Sequence, residues 1–316
     1  FCDALQLACD EPSGDCIPCS THDQCQPAAC NLYTSQCLPK DEVVHVGKGQ
    51  QYATIAAAVT SFSGAGEHGT IIIHGGESYD SASFVDNERL LAFLAAPGER
   101  PRWVRTSGAS PQLTIRAGST AFFDGMQLSS NANDVALLVD GGRVWLDRSH
   151  VVQNTGGGIL AQSGADVVLR NCFVGGDVSD QDALVIDAAN ASILSSTLGG
   201  GFGDASALRC TGASMVDARS SLFLARTDTA EVLCMSAAIE HSAAELDLGG
   251  SNTPLGDMAT SWFFGYGTGD FHLDDPPPAL STAAEWQQGD PLTDIDGDPR
   301  PATDASPDYA GADVPL

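Results

Sequence analysis

Apolar residues recur along this chain at a nearly fixed interval, and that interval limits the folds open to it. With Ala121, Val144, Val167, Ala191, Val216 and Ile239 as anchors, the separations are 23, 23, 24, 25 and 23 residues. Two residues on come Phe123, Leu146, Leu169, Ile193, Ala218 and His241, an alternation that a strand with one buried face requires. Five on come Met126, Ser149, Cys172, Ser196, Ser221 and Ala244, and seven on come Leu128, Val151, Val174, Leu198, Phe223 and Leu246. Six before the anchors stand Ile115, Leu138, Ala161, Val185, Cys210 and Leu233. Such a unit cannot bury its apolar face alone. Winding each unit into a coil and stacking the next about 4.8 Å above gives every strand a ladder partner. Leucine-rich repeats need an L-x-x-L-x-L pattern and helical repeats a 3.6-residue period, and neither is present. The expected fold is all-β: a right-handed parallel β-helix of about six to eight coils of 23–25 residues.

Composition divides the chain into a Cys/Pro-rich segment (1–41), the repeating body (42–270) and a Pro/Asp-rich tail (271–316) that opens with Asp274-Asp275-Pro276-Pro277-Pro278. Within the body, Gln51 to Val59 has helical spacing in Ile55, Ala58 and Val59, and the strand Thr70-Ile71-Ile72-Ile73-His74 follows. Here the sequence resembles the pectate-lyase-like right-handed β-helix superfamily, whose members open with a similar Tyr/Phe-x-Thr-Ile-x-x-Ala helix capping the first coil. The tail pairs Asp294-Ile295-Asp296-Gly297-Asp298-Pro299-Arg300 with Asp308-Tyr309-Ala310-Gly311-Ala312-Asp313. It resembles the closing segment of secreted bacterial β-helix proteins labelled choice-of-anchor Q, which implies that it covers the last coil.

Seven of the ten cysteines, Cys2, Cys9, Cys16, Cys19, Cys25, Cys30 and Cys37, fall in the first 37 residues. That density reads as a disulfide module from an oxidising compartment, with one cysteine left to pair elsewhere or stay free. Zinc held by Cys16 and Cys19 with His22 or Cys25 is the competing reading. Cys210 and Cys234 lie one coil apart, within disulfide reach if a bulge aligns them. Cys172 reads as a packed thiol, His241 as a core histidine and His150 as outward-facing.

Outward rows are where function would be legible. One residue after the anchors come Phe122, Trp145, Val168, Ser192, Asp217 and Glu240. With Phe173 and Trp103, the aromatics Phe122 and Trp145 are the candidate binding residues for a sugar face or a protein surface. The bland account is that a long loop from Asp80 to Pro111 folds over them. A leucine row seven before the anchors (Leu137, Leu160, Leu184) also wants cover from the module or the tail. Three after the anchors stand Asp124, Asp147, Arg170, Leu194, Arg219 and Ser242. The superfamily resemblance implies a calcium-assisted polysaccharide lyase with Asp124 and Asp147 as Ca²⁺ ligands and Arg170 as the base. A salt-bridge ladder explains the same row without chemistry. Other Ca²⁺ candidates are Asp294, Asp296 and Asp298, and Asp177, Asp180 and Asp182, because alternate aspartates before a glycine supply several oxygens from one loop.

The chain carries 14 basic and 41 acidic side chains, for a formal charge of −27. That excludes a nucleic-acid partner, and no apolar run is long enough to form a membrane span. The start at Phe1, with no basic-then-apolar leader, is as expected of a mature or trimmed product, and export is inferred from the cysteines instead. Motifs for polygalacturonases, serine hydrolases, zinc proteases and P-loop enzymes are absent. The sequence therefore points to a secreted or cell-surface β-helix protein without catalysis, acting in adhesion, carbohydrate contact or self-assembly into a filament or oligomer. Its partners would be a polysaccharide or surface protein; it requires no cofactor, with Ca²⁺ the candidate ion. The alternative is the lyase.

Overall fold

A computed structural model describes residues 2–9, 13–175, 180–226 and 229–315. Three parallel sheets of nine, nine and seven strands run the length of the body and close into a solenoid of about eight turns. The first, here the anchor sheet, includes Thr120–Asp124, Arg143–Asp147, Asp166–Arg170, Asn190–Leu194 and Met215–Arg219. The second includes Gln127–Ser130, His150–Asn154, Phe173–Gly175 and Thr197–Gly199. The third includes Leu113–Arg116, Leu137–Asp140, Ile159–Gln162 and Leu184–Asp187. Their inward columns form one continuous core. The right hand is the one that twisted parallel strands favour in crossover connections.

The anchor column pairs in register, Ala121 with Val144, Val167, Ala191 and Val216 in turn. The final interval is shorter than the sequence pattern implies. Val216 pairs with Ala237, and Ile239 pairs with Ala218. His241 is consequently a half-buried corner residue with φ of 46° and not a core histidine. In the third sheet the turn before the anchor strand varies by one residue. Ile115, Val139, Ala161, Ile186 and Cys210 therefore share the inward column, while Leu138, Leu160 and Val185 face out. Leu137 and Leu184, expected outside, are fully buried. The same correction brings Cys210 beside Cys234 without a bulge, and they form a disulfide with Cα atoms 4.7 Å apart.

Residues 80–111 are not a covering loop. They build a coil of their own through Ser83–Val85, Leu90–Ala95 and Arg102–Arg105, with Phe93 stacked on Phe123 at 4.9 Å. One short helix, Ile55–Ser61, starts at the N-cap of Thr54 and delivers Ile55, Ala58 and Val59 to the core.

Three disulfides, Cys2–Cys16, Cys19–Cys30 and Cys25–Cys37, staple the N-terminal segment. Cys9 is the odd residue, an exposed free thiol, and Cys172 is a buried one. In the tail, the hairpin of Phe263–Gly265 with Asp270–Leu273 crosses the boundary expected at residue 270. The tail lies along the second sheet rather than over the last coil. Phe271 and Tyr266 press on Gly199, where an added Cβ would come within 2.6 Å of the Phe271 ring. Ala312 N–H donates to Thr197 Oγ1, and Gly311 N–H donates to the Ser220 carbonyl.

The corrected register has a direct consequence. Ile186→Ala should cost about 2–5 kcal/mol in denaturant unfolding, as a buried truncation does, while Val185→Ala next to it should cost less than about 1 kcal/mol. Equal costs would contradict the assigned faces.

Candidate functional site

The outward aromatic row of the anchor sheet is the seat of the disulfide module. Phe122 is fully buried, with Tyr33 at 5.8 Å and His22 edge-on at 5.9 Å between ring centroids. Trp145 packs against the same Tyr33 ring at 5.6 Å, and the Arg143 guanidinium lies over that Tyr33 ring at 5.4 Å. Tyr33 hydroxyl donates to the Val144 carbonyl, and Ala29 N–H donates to the buried Thr70 Oγ1. Trp103 is an inward core residue whose indole N–H donates to the Ser81 carbonyl. Phe173 is fully buried under the tail against Phe271 and His272. The four aromatics expected to bind a ligand therefore hold the molecule's own parts together. Burial of this kind satisfies an exposed apolar stripe without any partner.

The acidic row is an ion-pair ladder. Arg148 grips Asp124 through Nε at 2.8 Å and Nη2 at 2.5 Å, and Arg170 pairs with Asp147. Arg219 continues the series onto Asp290 of the tail. Arg170 also lies 5.7 Å over the Trp145 ring. Although burial opposes its charge, the Asp147 carboxylate raises the Arg170 pKa above its ordinary value. A proton-abstracting base needs the neutral guanidine, so this environment pushes Arg170 away from that role. Of the two expected Ca²⁺ ligands, Asp124 commits both carboxylate oxygens to Arg148, and Asp147 commits its Oδ2 to Arg170.

The tail aspartates do not converge either. Asp294 is fully buried, and its Oδ1 accepts the N–H groups of Asp296, Gly297 and Asp298 while Oδ2 accepts that of Val314. It nucleates the turn, as aspartate does when it bonds backbone two to four residues on. Buried Arg300 pairs with Asp308 at 2.8 Å and donates to the Gly311 carbonyl, which accounts for the spacing of that motif. Of the second group, Asp177 lies outside the described residues, and Asp182 is held by Arg209 and Ser206. The zinc reading of the module fails because Cys16, Cys19 and Cys25 are each disulfide-bonded.

A cleft of about 650 Å³ opens where module, solenoid and tail meet. Its lining includes His22, Asp23 and Gln26 from the module, Glu99, Arg100 and the Asp124–Arg148 pair from the solenoid, and Asp296 from the tail. Arg100 reaches the tail, donating to the Ile295 carbonyl and Asp296 Oδ1 at 3.1 and 3.2 Å. Of these, the sequence reading singled out only Asp124, Asp296 and His22, each for another purpose. Arg148 had a readable signal: it stands in a corner row of Gly125, Asn171, Ser195 and Ser220, where an arginine at φ of 45° is out of place. Arg100 carried none.

No protein-family model and no curated protein sequence matches the chain. Similar solved structures include the pectin methylesterase of Aspergillus niger in deglycosylated form, with 12% identity over 68% of this chain and 83% of that one and a TM-score of 0.39. The same enzyme with an N-acetylglucosamine stub gives 11% identity over 76% and 92% of the two chains, also with a TM-score of 0.39. Nothing about activity carries over at that level of likeness.

His22 links the cleft wall to the module's hold on the solenoid. Its Nδ1 accepts the Cys30 N–H at 3.1 Å, and burial pushes its pKa down to about 4, against an attraction from Asp147. A depressed histidine contributes stability above its unfolded value near 6.5, and that contribution is lost as pH falls toward 4, at about 1.4 kcal/mol per pH unit. His22→Asn keeps an acceptor but does not titrate there. Its unfolding free energy should fall less than the wild type's between pH 6.5 and 4; parallel curves would refute the assignment.

Proposed function

We propose that this is an extracellular, non-catalytic β-helix protein that contacts carbohydrate through the cleft between its module (1–41), body (42–270) and tail (271–316). The carrying observation is the cleft's charge arrangement. Asp23, Glu99, Asp124 and Asp296 stand with Arg100 and Arg148; Arg148 pairs with Asp124 and Arg100 with Asp296, which leaves two acceptor carboxylates in excess. That suits a hydroxyl-rich neutral saccharide better than a polyanion, which a chain of charge −27 repels. The volume fits a ligand of a few sugar rings, within the roughly 300–1,000 Å³ of small-molecule sites. Disulfides support an extracellular setting, and no helix among the described residues is long and apolar enough to cross a membrane.

The test is binding of the full chain to a panel of neutral and uronate-containing oligosaccharides. Gln26→Trp, at an exposed position on the cleft wall, should fill the cleft and weaken neutral-saccharide binding at least tenfold with the thermal midpoint unchanged. Absence of binding across the panel, or binding indifferent to the tryptophan, would reject the reading. Release of unsaturated uronate from acidic polysaccharides with Ca²⁺ would instead favour the lyase.

Self-assembly has one observation in its favour. The last coil leaves the edge of Ala237–Glu240 without a further strand among the described residues, and Met235, Leu233 and Leu246 are exposed there. The helix Ile55–Ser61 occupies the first coil, which favours a pair of chains meeting at their last coils over an open filament. Light scattering should show a concentration-dependent dimer that Met235→Glu with Leu233→Glu dissociates; a monomer at all concentrations excludes it.

A further inference from the structure

We infer that a divalent transition-metal ion, with Zn²⁺ the best match, binds in the seam between the second sheet and the tail, held by His150, His272, Asp296 and Asp313. His272 stands on the strand Asp270–Leu273, Asp296 in the turn built by Asp294, and Asp313 near the chain's end. One donor atom from each of these three lies within 4.8 Å of the others. The fourth residue comes from the solenoid itself; its ring nitrogens lie outside that group, so it joins the ion by a shift of its side chain. His150 opens the strand His150–Asn154, is 7% exposed, and packs between Phe173 at 4.9 Å and His272 at 6.2 Å between ring centroids. Its Nε2 is buried with no hydrogen-bond partner. The charged or titratable groups acting on it are Arg100, His272 and Asp296. An orphaned imidazole nitrogen beside three converging ligands is costly unless something binds there.

The surrounding contacts orient the ligands as a metal site requires. His272 Nδ1 is bonded to Asp270 Oδ1, which leaves Nε2 as the donor to the ion. Arg100 holds Asp296 Oδ1, and the Leu273 N–H holds Asp313 Oδ2, so each carboxylate keeps one oxygen uncommitted by these bonds. His272 Nε2 and Asp296 Oδ2 are now 2.6 Å apart. Two ligands on a tetrahedral ion, each at about 2.0–2.2 Å, stand roughly 3.3–3.6 Å apart, so entry of the ion requires these groups to separate by about 1 Å. Two imidazoles and two carboxylates match zinc and its neighbours, whereas Ca²⁺ takes six to eight oxygens. The ion would tie three separate parts of the tail to one coil, a structural role distinct from the carbohydrate reading.

The experiment uses the full chain with Cys9→Ser, which removes an exposed thiol that would itself bind zinc, after stripping with chelator. Calorimetric titration with Zn²⁺ should give one equivalent with Kd below about 1 μM, and Zn²⁺ but not Ca²⁺ should raise the thermal midpoint. Co²⁺ should give the intense visible bands of a tetrahedral site. His150→Phe, which preserves packing on Phe173, and Asp313→Asn, which can still accept from Leu273, should each weaken Zn²⁺ at least tenfold. No uptake of Zn²⁺ at 10 μM free ion by the folded Cys9→Ser chain, or affinity unchanged in both variants, overturns the inference.

Discussion

From Thr120–Asp124 onward every coil turns the same corner after the anchor strand, and the stack depends on how its backbone is satisfied there. Gly125, Arg148, Asn171, Ser195, Ser220 and His241 occupy that corner with φ between 45° and 70°. A left-handed residue costs non-glycine side chains about 1–2 kcal/mol, so the conformation persists only because its surroundings fix it. Part of the fixing comes from the ladder: each of the first five donates its N–H to the coil above, as Arg148 does to Arg170 and Asn171 to Leu194. The rest comes from the next residue. Ser149, Cys172, Ser196, Ser221 and Ser242 point inward, and each donates its hydroxyl or thiol to the carbonyl two residues back. The serine hydroxyls accept an N–H from the preceding coil, from Met126, Cys172, Ser196 and Ser221 in turn. A buried amide left unpaired costs about 1–3 kcal/mol, so this hydroxyl column removes a penalty that would recur at every coil. It also explains Cys172: burial pushes its thiol pKa up, and the residue substitutes for serine in a packed column.

The columns that were legible in the sequence are those whose spacing within one coil is rigid. Anchor and second strands are separated by a corner that keeps one length from Ala121 and Leu128 through to Ala237 and Ala244, so Phe123, Leu146 and Leu169 could be aligned from residue type alone. The third sheet was not readable in the same way. Its turn into the anchor strand alternates between two lengths, and both Leu137 and Leu138 are leucines, so composition gives no means of telling the inward one from its neighbour. A one-residue slip of this kind exchanges the two faces of a strand. The final row failed for a related reason: the coil shortens to 21 residues, from Val216 to Ala237, and the fixed interval pointed two residues too far.

The covers escaped the sequence altogether. Tyr33 meets Val144 across 111 positions, and Asn171 meets Thr293 across 122. No periodicity relates such pairs. What could be read was the need for cover, since Phe122, Trp145 and Phe173 stand on outer faces; what could not be read was that one segment goes to the anchor sheet and the other to the second sheet.

That division of the covers decides where chemistry can sit. The solenoid's outer faces are straight ladders in which opposite charges neutralise one another, as Asp147 and Arg170 do. Aromatic residues on those faces are consumed in seating the module and the tail. Polar groups without a repeat partner accumulate only along the seams, because a seam brings side chains from unrelated parts of the chain together with no register to pair them. Arg100, His150, His272 and Asp296 are of this kind: none has a residue of its own type in the coils above or below, and each meets the others once. A solenoid that carried function on its repeat would show it in every coil. Here the repeat supplies a rigid wall, and the proposed sites lie among the few residues that depart from it.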